Sequence, residues 1–344
     1  MKKNKPKILM IGSHLINGNQ NAWQDLAQKL IKSGYLITTT SPKTDKLSKW
    51  VDMTLTLLKR RKEWELIQID VFSGPAFLWA LTSGAFAHWM TIPLVLTLHG
   101  GGLPEFSKKY SFLVQWLLNS ADVVTAPSGY LVERMKEYRT DIQLITNAIE
   151  LHLYKYRHRQ QVAPKIVWLR AFHEIYNPTL AVRMAEILKQ EGIGFQIRMV
   201  GPDKGDGSYQ RVLALVEQKG LGGSFTFPGG VKKEKVPEEL ILGDIFLNTT
   251  NVDNTPISLM EAMASGLCIV STNVGGIPYL LEDGVDALLV PPDDPQAMAD
   301  AIRRIISEPG LAGRLSANAR RKAESFDWSV VLPQWEVLLE RYPK

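Results

Sequence analysis

Asp244-Ile-Phe-Leu-Asn248, Asp253-Asn-Thr-Pro-Ile-Ser-Leu-Met-Glu-Ala-Met-Ala-Ser-Gly266 and Cys268-Ile-Val-Ser271 follow one another as strand, helix and strand. Short apolar runs flanking a proline-started helix are the pattern of buried parallel strands joined by a crossover. In a doubly wound α/β domain ligands bind beyond the carboxyl ends of the strands, and Asp253, Thr255, Pro256, Ile257, Ser258, Leu259 and Glu261 fall at such an edge. With Pro256 or Ile257 opening the helix, free N–H groups at Ser258 and Leu259 favour a phosphate. Glu261 can then accept hydrogen bonds from vicinal ribose hydroxyls, and Asp253 from the hydroxyls of a second sugar. Either acid alone reads as a cap or a solvated helix residue. Their spacing, the proline and the small-residue finish make the combination specific.

The 344-residue chain has room for two domains, and 45% hydrophobic with 22% charged residues marks it as globular. Its single Cys268 lies in an apolar run and reads as a buried structural thiol, which suits a cytoplasmic protein. Residues 1–165 hold 22 Lys and Arg against 12 Asp and Glu, whereas residues 166–344 hold 18 against 23. A basic first half points to an anionic partner without choosing among nucleic acid, membrane surface and substrate. The uncharged span Val71 to Leu98 is long enough for a membrane helix, but Ser73-Gly-Pro75, Gly84, His88 and Pro93 divide it into strand, helix and strand.

Both halves alternate strand and helix, so two doubly wound Rossmann-like domains are expected. We expect an N-terminal domain over 1–160, a C-terminal domain over 161–327, and a last helix, 328–344, packing back on the first domain. In the first half strands are expected at 7–11, 66–72, 93–99, 123–126 and 143–145. In the second they fall at 166–169, 195–200, 225–227, 245–248, 268–271 and 287–290.

The motif Asp253 to Ala264, with Val274-Gly-Gly-Ile-Pro278 behind it, resembles the acidic-x7-acidic motif and glycine loop of the family-four (group 1) retaining glycosyltransferases. His99-Gly-Gly-Gly102, Ala121-Asp-Val-Val124, Asn147-Ala-Ile-Glu150, Val200-Gly-Pro-Asp203 and Phe227-Pro-Gly-Gly-Val231 extend the resemblance over nearly the whole chain. It implies the GT-B fold, two Rossmann-like domains facing across a cleft, and transfer of a hexose-class sugar from a nucleoside diphosphate to an acceptor in polysaccharide or surface-glycan assembly.

Carried over residue by residue, the resemblance makes Glu261 the ribose ligand and Asp253 the ligand of the transferred sugar. The backbone at Ser258 and Leu259 becomes the diphosphate site, with Gly230 and Val231 beside the donor. His99, Arg170 and Asp253 form the catalytic set. Gly12, Asn17 and Gly18 become an acceptor-side loop, although they match neither a GxGxxG fingerprint nor a P-loop.

Two departures stand out. Asp253 replaces the usual Glu, and Ile175 stands where the family's Arg-x4-Lys pair has its lysine, leaving Arg170 with His173 as a further candidate donor. A missing cation of that kind weakens stabilisation of the leaving diphosphate.

The sequence offers no Asp-x-Asp motif, clustered His/Cys set or GxSxG elbow. The expected chemistry is therefore free of metal and cofactor, with the nucleotide sugar as donor substrate and a glycan or lipid-linked acceptor. Lys46 to Lys62 places Leu47, Trp50, Val51, Thr54 and Leu58 at helical spacing before Lys59-Arg-Arg-Lys62. Such a helix suits peripheral contact with an anionic inner-membrane face, or simply a solvated face of its domain. Two other functions stay open: a non-catalytic sugar-nucleotide or glycan-binding protein, which would release no free sugar from a donor, and a sugar-nucleotide epimerase, which would need no acceptor. No basic stripe with interleaved aromatics supports nucleic-acid binding.

Overall fold

The structure, a computed structural model, describes residues 5–12, 22–40, 46–59 and 63–342. Two compact units form: residues 1–148 with 329–344, and residues 149–328. The division falls at Ala148, ahead of position 160.

In the first unit β1 (Lys7–Ile11), α1 (Ala22–Lys32), β2 (Leu36–Thr40), α2 (Lys46–Lys59), β3 (Leu66–Val71), α3 (Ala76–Trp89) and β4 (Leu94–Leu98) alternate. They are followed by α4 (Leu103–Lys109), α5 (Ser111–Asn119), β5 (Val123–Ala126), α6 (Gly129–Met135) and β6 (Gln143–Leu144). The sheet is parallel, in the order β2-β1-β3-β4-β5-β6. Because β1 leads outward to β2 and the chain then crosses back to β3, the topology reverses between β1 and β3. Met53, Leu57, Phe77, Ala80, Val114, Leu117, Leu131 and Met135 place α2, α3, α5 and α6 on one core. The uncharged span 71–98 is thus the end of β3, the whole of α3 and β4. Among the described residues no helix is long and apolar enough to cross a membrane.

The second unit runs β7 (Lys165–Leu169), α7 (Pro178–Gln190), β8 (Gln196–Val200), α8 (Ser208–Gln218), β9 (Phe225–Gly229), α9 (Val236–Leu240) and β10 (Ile245–Asn248). There follow α10 (Ile257–Ala264), β11 (Cys268–Thr272), α11 (Ile277–Leu280), β12 (Leu288–Val290), α12 (Pro295–Ser307) and α13 (Leu311–Ala323). Its parallel sheet has the order β12-β11-β10-β7-β8-β9 and reverses between β7 and β10.

Side chains alternate faces along these strands. Ile166, Trp168, Ile245, Leu247, Cys268 and Val270 enter one cluster with α7 and α12, while Val167, Phe246 and Ile269 enter another with α10. Both faces of the central strands are therefore dry, which is why the sequence shows continuous apolar runs there. Burial drives the Cys268 thiol up to about 12, so it is packed and inert.

After Asp327 the chain enters α14 (Trp328–Leu339), most of which belongs to the first unit. Lys5 Nζ lies 3.1 Å from Glu336 Oε1, and Tyr35 donates to Glu340 Oε1 at 2.9 Å. Burial and the Glu340 carboxylate push the Tyr35 phenol well above its usual range. Trp335, Leu338 and Leu339 are buried. Trp335→Ala should lower the stability of the first unit by about 3–5 kcal/mol, the usual loss for a buried tryptophan. An unchanged urea midpoint would show that α14 contributes little to that unit.

Candidate functional site

The switch point of the second sheet puts the loop after β7 beside the loop after β10, and each delivers one charged side chain. Arg170 opens the first loop, directly after β7, and pairs through Nη2 with Asp253 Oδ2 of the second. Both side chains are mostly buried, at 17% and 15% exposure, so their charges are poorly screened. Burial pushes the Arg170 guanidinium below its usual range, an effect that Tyr176 and Glu261 oppose. The guanidinium carbon sits 4.6 Å over the Tyr176 ring. Tyr176 is itself held from below: Trp168 Nε1 donates to Thr249 Oγ1 at 2.8 Å, and Thr249 Oγ1 donates to the Tyr176 carbonyl at 2.6 Å.

Glycine makes this approach feasible. A Cβ on Gly201 would lie 1.6 Å from the Arg170 carbonyl oxygen. At Gly275 and Gly276 it would lie 2.1 Å from the Asp253 carbonyl and 1.9 Å from that of Asn254, and Gly276 N–H donates to the Asp253 carbonyl at 3.0 Å. The glycine pair therefore holds the loop that carries Asp253, rather than merely opening a turn.

Helix α10 begins beside this pair, with Pro256 extended at φ −66° and ψ 119°. Of the two N–H groups expected to be free, that of Leu259 is bonded to the Pro256 carbonyl at 3.1 Å, which closes the first turn of the helix. Ser258 Oγ and Arg170 Nε are buried and make no hydrogen bond. Thr255 and Pro256 are buried at the same end of the helix.

Glu261 is 5% exposed, not a solvated helix residue, and its Oε1 accepts from the Tyr154 hydroxyl at 2.7 Å. Gly230 follows β9, and a Cβ there would touch Pro202, next to Gly201. Val231 and Ile257 pack on one apolar cluster. His173 is a cap: its Nδ1 accepts from Ile175 N–H at 3.2 Å. Ile175 is 38% exposed, and its carbonyl accepts from Asn251 N–H at 2.8 Å.

In the first unit His99 directly follows β4. Its ring stacks on Phe72 at 4.9 Å, and Nε2 stands 3.2 Å from Asp70 Oδ1, without the alignment of a hydrogen bond. Gly12 ends the described part of the loop after β1, where a Cβ would strike the Trp23 ring at 2.7 Å. Asn17 and Gly18 lie outside the described residues. Tyr154, Tyr176 and Asp70 carry no sequence signal of their own; Tyr154 lies just past the Asn147–Glu150 motif, the nearest pointer to it.

The family profile described as "Glycosyl transferases group 1" matches residues 158–322, and that described as "Glycosyltransferase Family 4" matches residues 34–153. A Salmonella typhimurium glycosyltransferase named for colanic acid biosynthesis, WcaL, is 26% identical over 249 residues, which is 69% of this chain and 61% of that protein. The chain thus spans less than two thirds of that relative's length. N-acetyl-alpha-D-glucosaminyl L-malate synthase of Bacillus anthracis is 25% identical over 263 residues, covering 72% of this chain and 67% of that one.

Among solved structures, Anabaena HepE in complex with UDP superposes with a TM-score of 0.78 at 18% identity, covering 97% of this chain and 100% of that one. Sucrose-phosphate synthase from Thermosynechococcus elongatus gives 0.79 at 17% identity, covering 98% and 99%. At those identities the superpositions speak to fold, and the fold they share is the two-domain α/β GT-B architecture. With sheet order, motif placement and both profiles in agreement, the chain belongs to the group 1, family-four glycosyltransferases.

Proposed function

We propose that this protein is a retaining glycosyltransferase that moves a hexose-class sugar from a nucleoside diphosphate to an acceptor received by the first unit, in polysaccharide or other surface-glycan assembly. The observation that carries the donor side is the pair of unpartnered buried donors, Arg170 Nε and Ser258 Oγ, at the start of α10. Buried polar groups are rarely left unbonded, and a diphosphate supplies the missing acceptors at a helix end whose dipole favours negative charge. Glu261, fixed by Tyr154, accepts from the ribose hydroxyls, and Asp253 from those of the transferred sugar. Gly230 and Val231 border the donor. The solved HepE structures contain UDP and UDP-glucose, ligands of the same class.

In this reaction the acceptor oxygen forms a bond to the anomeric carbon on the face from which the diphosphate departs. The carbon–oxygen bond to phosphate breaks with its electron pair going to the diphosphate, and the acceptor's proton passes to that leaving oxygen. Arg170 and the α10 start stabilise the charge that develops there, so the protein's own groups supply what a metal would otherwise provide. For His99 we keep the catalytic role that the resemblance implies. Gly12 borders the acceptor in this reading; Asn17 and Gly18, which the resemblance assigns to the same loop, lie outside the described residues.

Ile175 favours a second reading, a donor-binding protein without turnover. Slow hydrolysis of the donor separates the two, because a pure binder releases no sugar above background.

The acceptor's setting is a cytoplasmic membrane face. Val51, Leu55, Leu78, Trp89, Phe112 and Trp116 are exposed on the α2–α3–α5 layer, and neither α3 nor α5 contains a Lys, Arg, Asp or Glu. Exposed aromatic side chains on helices without charged residues are suited to a lipid interface. Sedimentation with anionic vesicles should retain the wild type and largely lose the Trp89→Ser/Phe112→Ser double variant. Equal retention would remove this surface from membrane contact.

Glu261→Ala should weaken nucleotide-sugar binding by about 1–3 kcal/mol, the value of charged hydrogen bonds. An unchanged dissociation constant would take Glu261 out of the site. Gly276→Ala should weaken binding in the same direction by displacing the Asp253 loop. Failure of a nucleotide-sugar panel to bind or react with intact protein would end the donor assignment.

A further inference from the structure

The first unit has a switch point of its own, between β1 and β3, and a cavity of about 250 Å³ lies there. Ile11, Met53, Phe72, Ala76 and Trp79 give it apolar walls, and Asp70 is its one charged wall among the described residues. The Asp70 side chain is 3% exposed. Gln68 Nε2 donates to its Oδ1 at 2.9 Å, and His99 Nε2 approaches the same oxygen at 3.2 Å. Gln68 is fixed in turn, accepting from Trp23 Nε1 at 3.1 Å and donating to Thr97 Oγ1 at 3.0 Å. Thus the buried carboxylate that lines the cavity is oriented through one of its oxygens, Oδ1.

Resting on the reading that the first unit receives the acceptor, we infer that this cavity takes an apolar ring or branched hydrocarbon portion of the acceptor, with Asp70 Oδ2 accepting a hydrogen bond from an adjacent hydroxyl. Position supports a ligand site, since doubly wound sheets bind ligands at the reversal of strand order. Size and chemistry define the class. A cavity of about 150 Å³ already holds benzene, and this one is larger. Among the described residues its walls cannot satisfy the ring of hydroxyls on a bare sugar, each of which would lose its bonds to water. One hydroxyl beside an apolar body matches one carboxylate beside apolar walls.

The test is fluorine NMR titration of the full chain with 4-fluorobenzyl alcohol, with glycerol as competitor and 4-fluorotoluene as the hydroxyl-free control. Wild type should bind the alcohol, and excess glycerol should not displace it. Ala76→Phe, which fills the cavity, should weaken binding about tenfold or more, the scale set by a buried apolar ring. Asp70→Asn, which preserves volume, should weaken the alcohol but not the toluene, and this arm suffices if Ala76→Phe does not fold.

No alcohol binding by wild type, displacement by glycerol, or equal affinity in the folded variants would overturn the inference. Absence of nucleotide-sugar binding by the same wild-type protein would instead remove the transferase reading and leave the cavity result standing.

Discussion

The pairing of Arg170 with Asp253 organises the candidate donor site, because it ties together the two loops that the reversal of strand order brings side by side. Neither charge can be deleted cheaply. In a fully buried pair, loss of one partner costs about 3–5 kcal/mol, and the partial exposure here reduces that figure. The pair also fixes the arginine, which is oriented by a carboxylate on one side and the Tyr176 ring on the other; on the function proposed above, this is the group that a diphosphate at α10 would meet. Three glycines without room for a Cβ, Gly201, Gly275 and Gly276, let the backbones come that close.

The two units apply one topological device to different chemistry. At the β7/β10 reversal the side chains are charged or hydrogen-bonding and surround a helix start, as an anionic ligand requires. At the β1/β3 reversal the walls are apolar around the single carboxylate of Asp70. The fold fixes where ligands go, and the residues at the strand ends fix which ligands they are.

Much of this arrangement was legible in the sequence wherever function is written locally. Asp253, the Pro256–Ile257 helix start and Glu261 lie within nine consecutive positions, and Arg170 follows an unambiguous apolar strand. What the sequence hid depends on distant partners. The hydroxyl that holds Glu261 comes from Tyr154, 107 positions away, and no local pattern marks it. Gly275 and Gly276 read equally well as a ligand approach or a turn, because their actual neighbour is the backbone of Asp253 and Asn254. β2 was not anticipated, since Leu-Ile-Thr-Thr-Thr at a sheet edge is only partly buried. Nor was α13, whose inner face is built largely from alanine and serine rather than from large apolar residues. Asp70 lies within the expected strand 66–72 with no local pattern to mark it, and only the reversal at β1/β3 places it beside a cavity.

The most direct test is a crystal structure of the full chain with a nucleoside diphosphate. The diphosphate is expected within hydrogen-bonding distance of Arg170, Ser258 Oγ and the first-turn N–H groups of α10, with the ribose on Glu261. A nucleotide bound away from α10, with Ser258 still unpartnered and Arg170 engaged only by Asp253, would contradict the donor site described above.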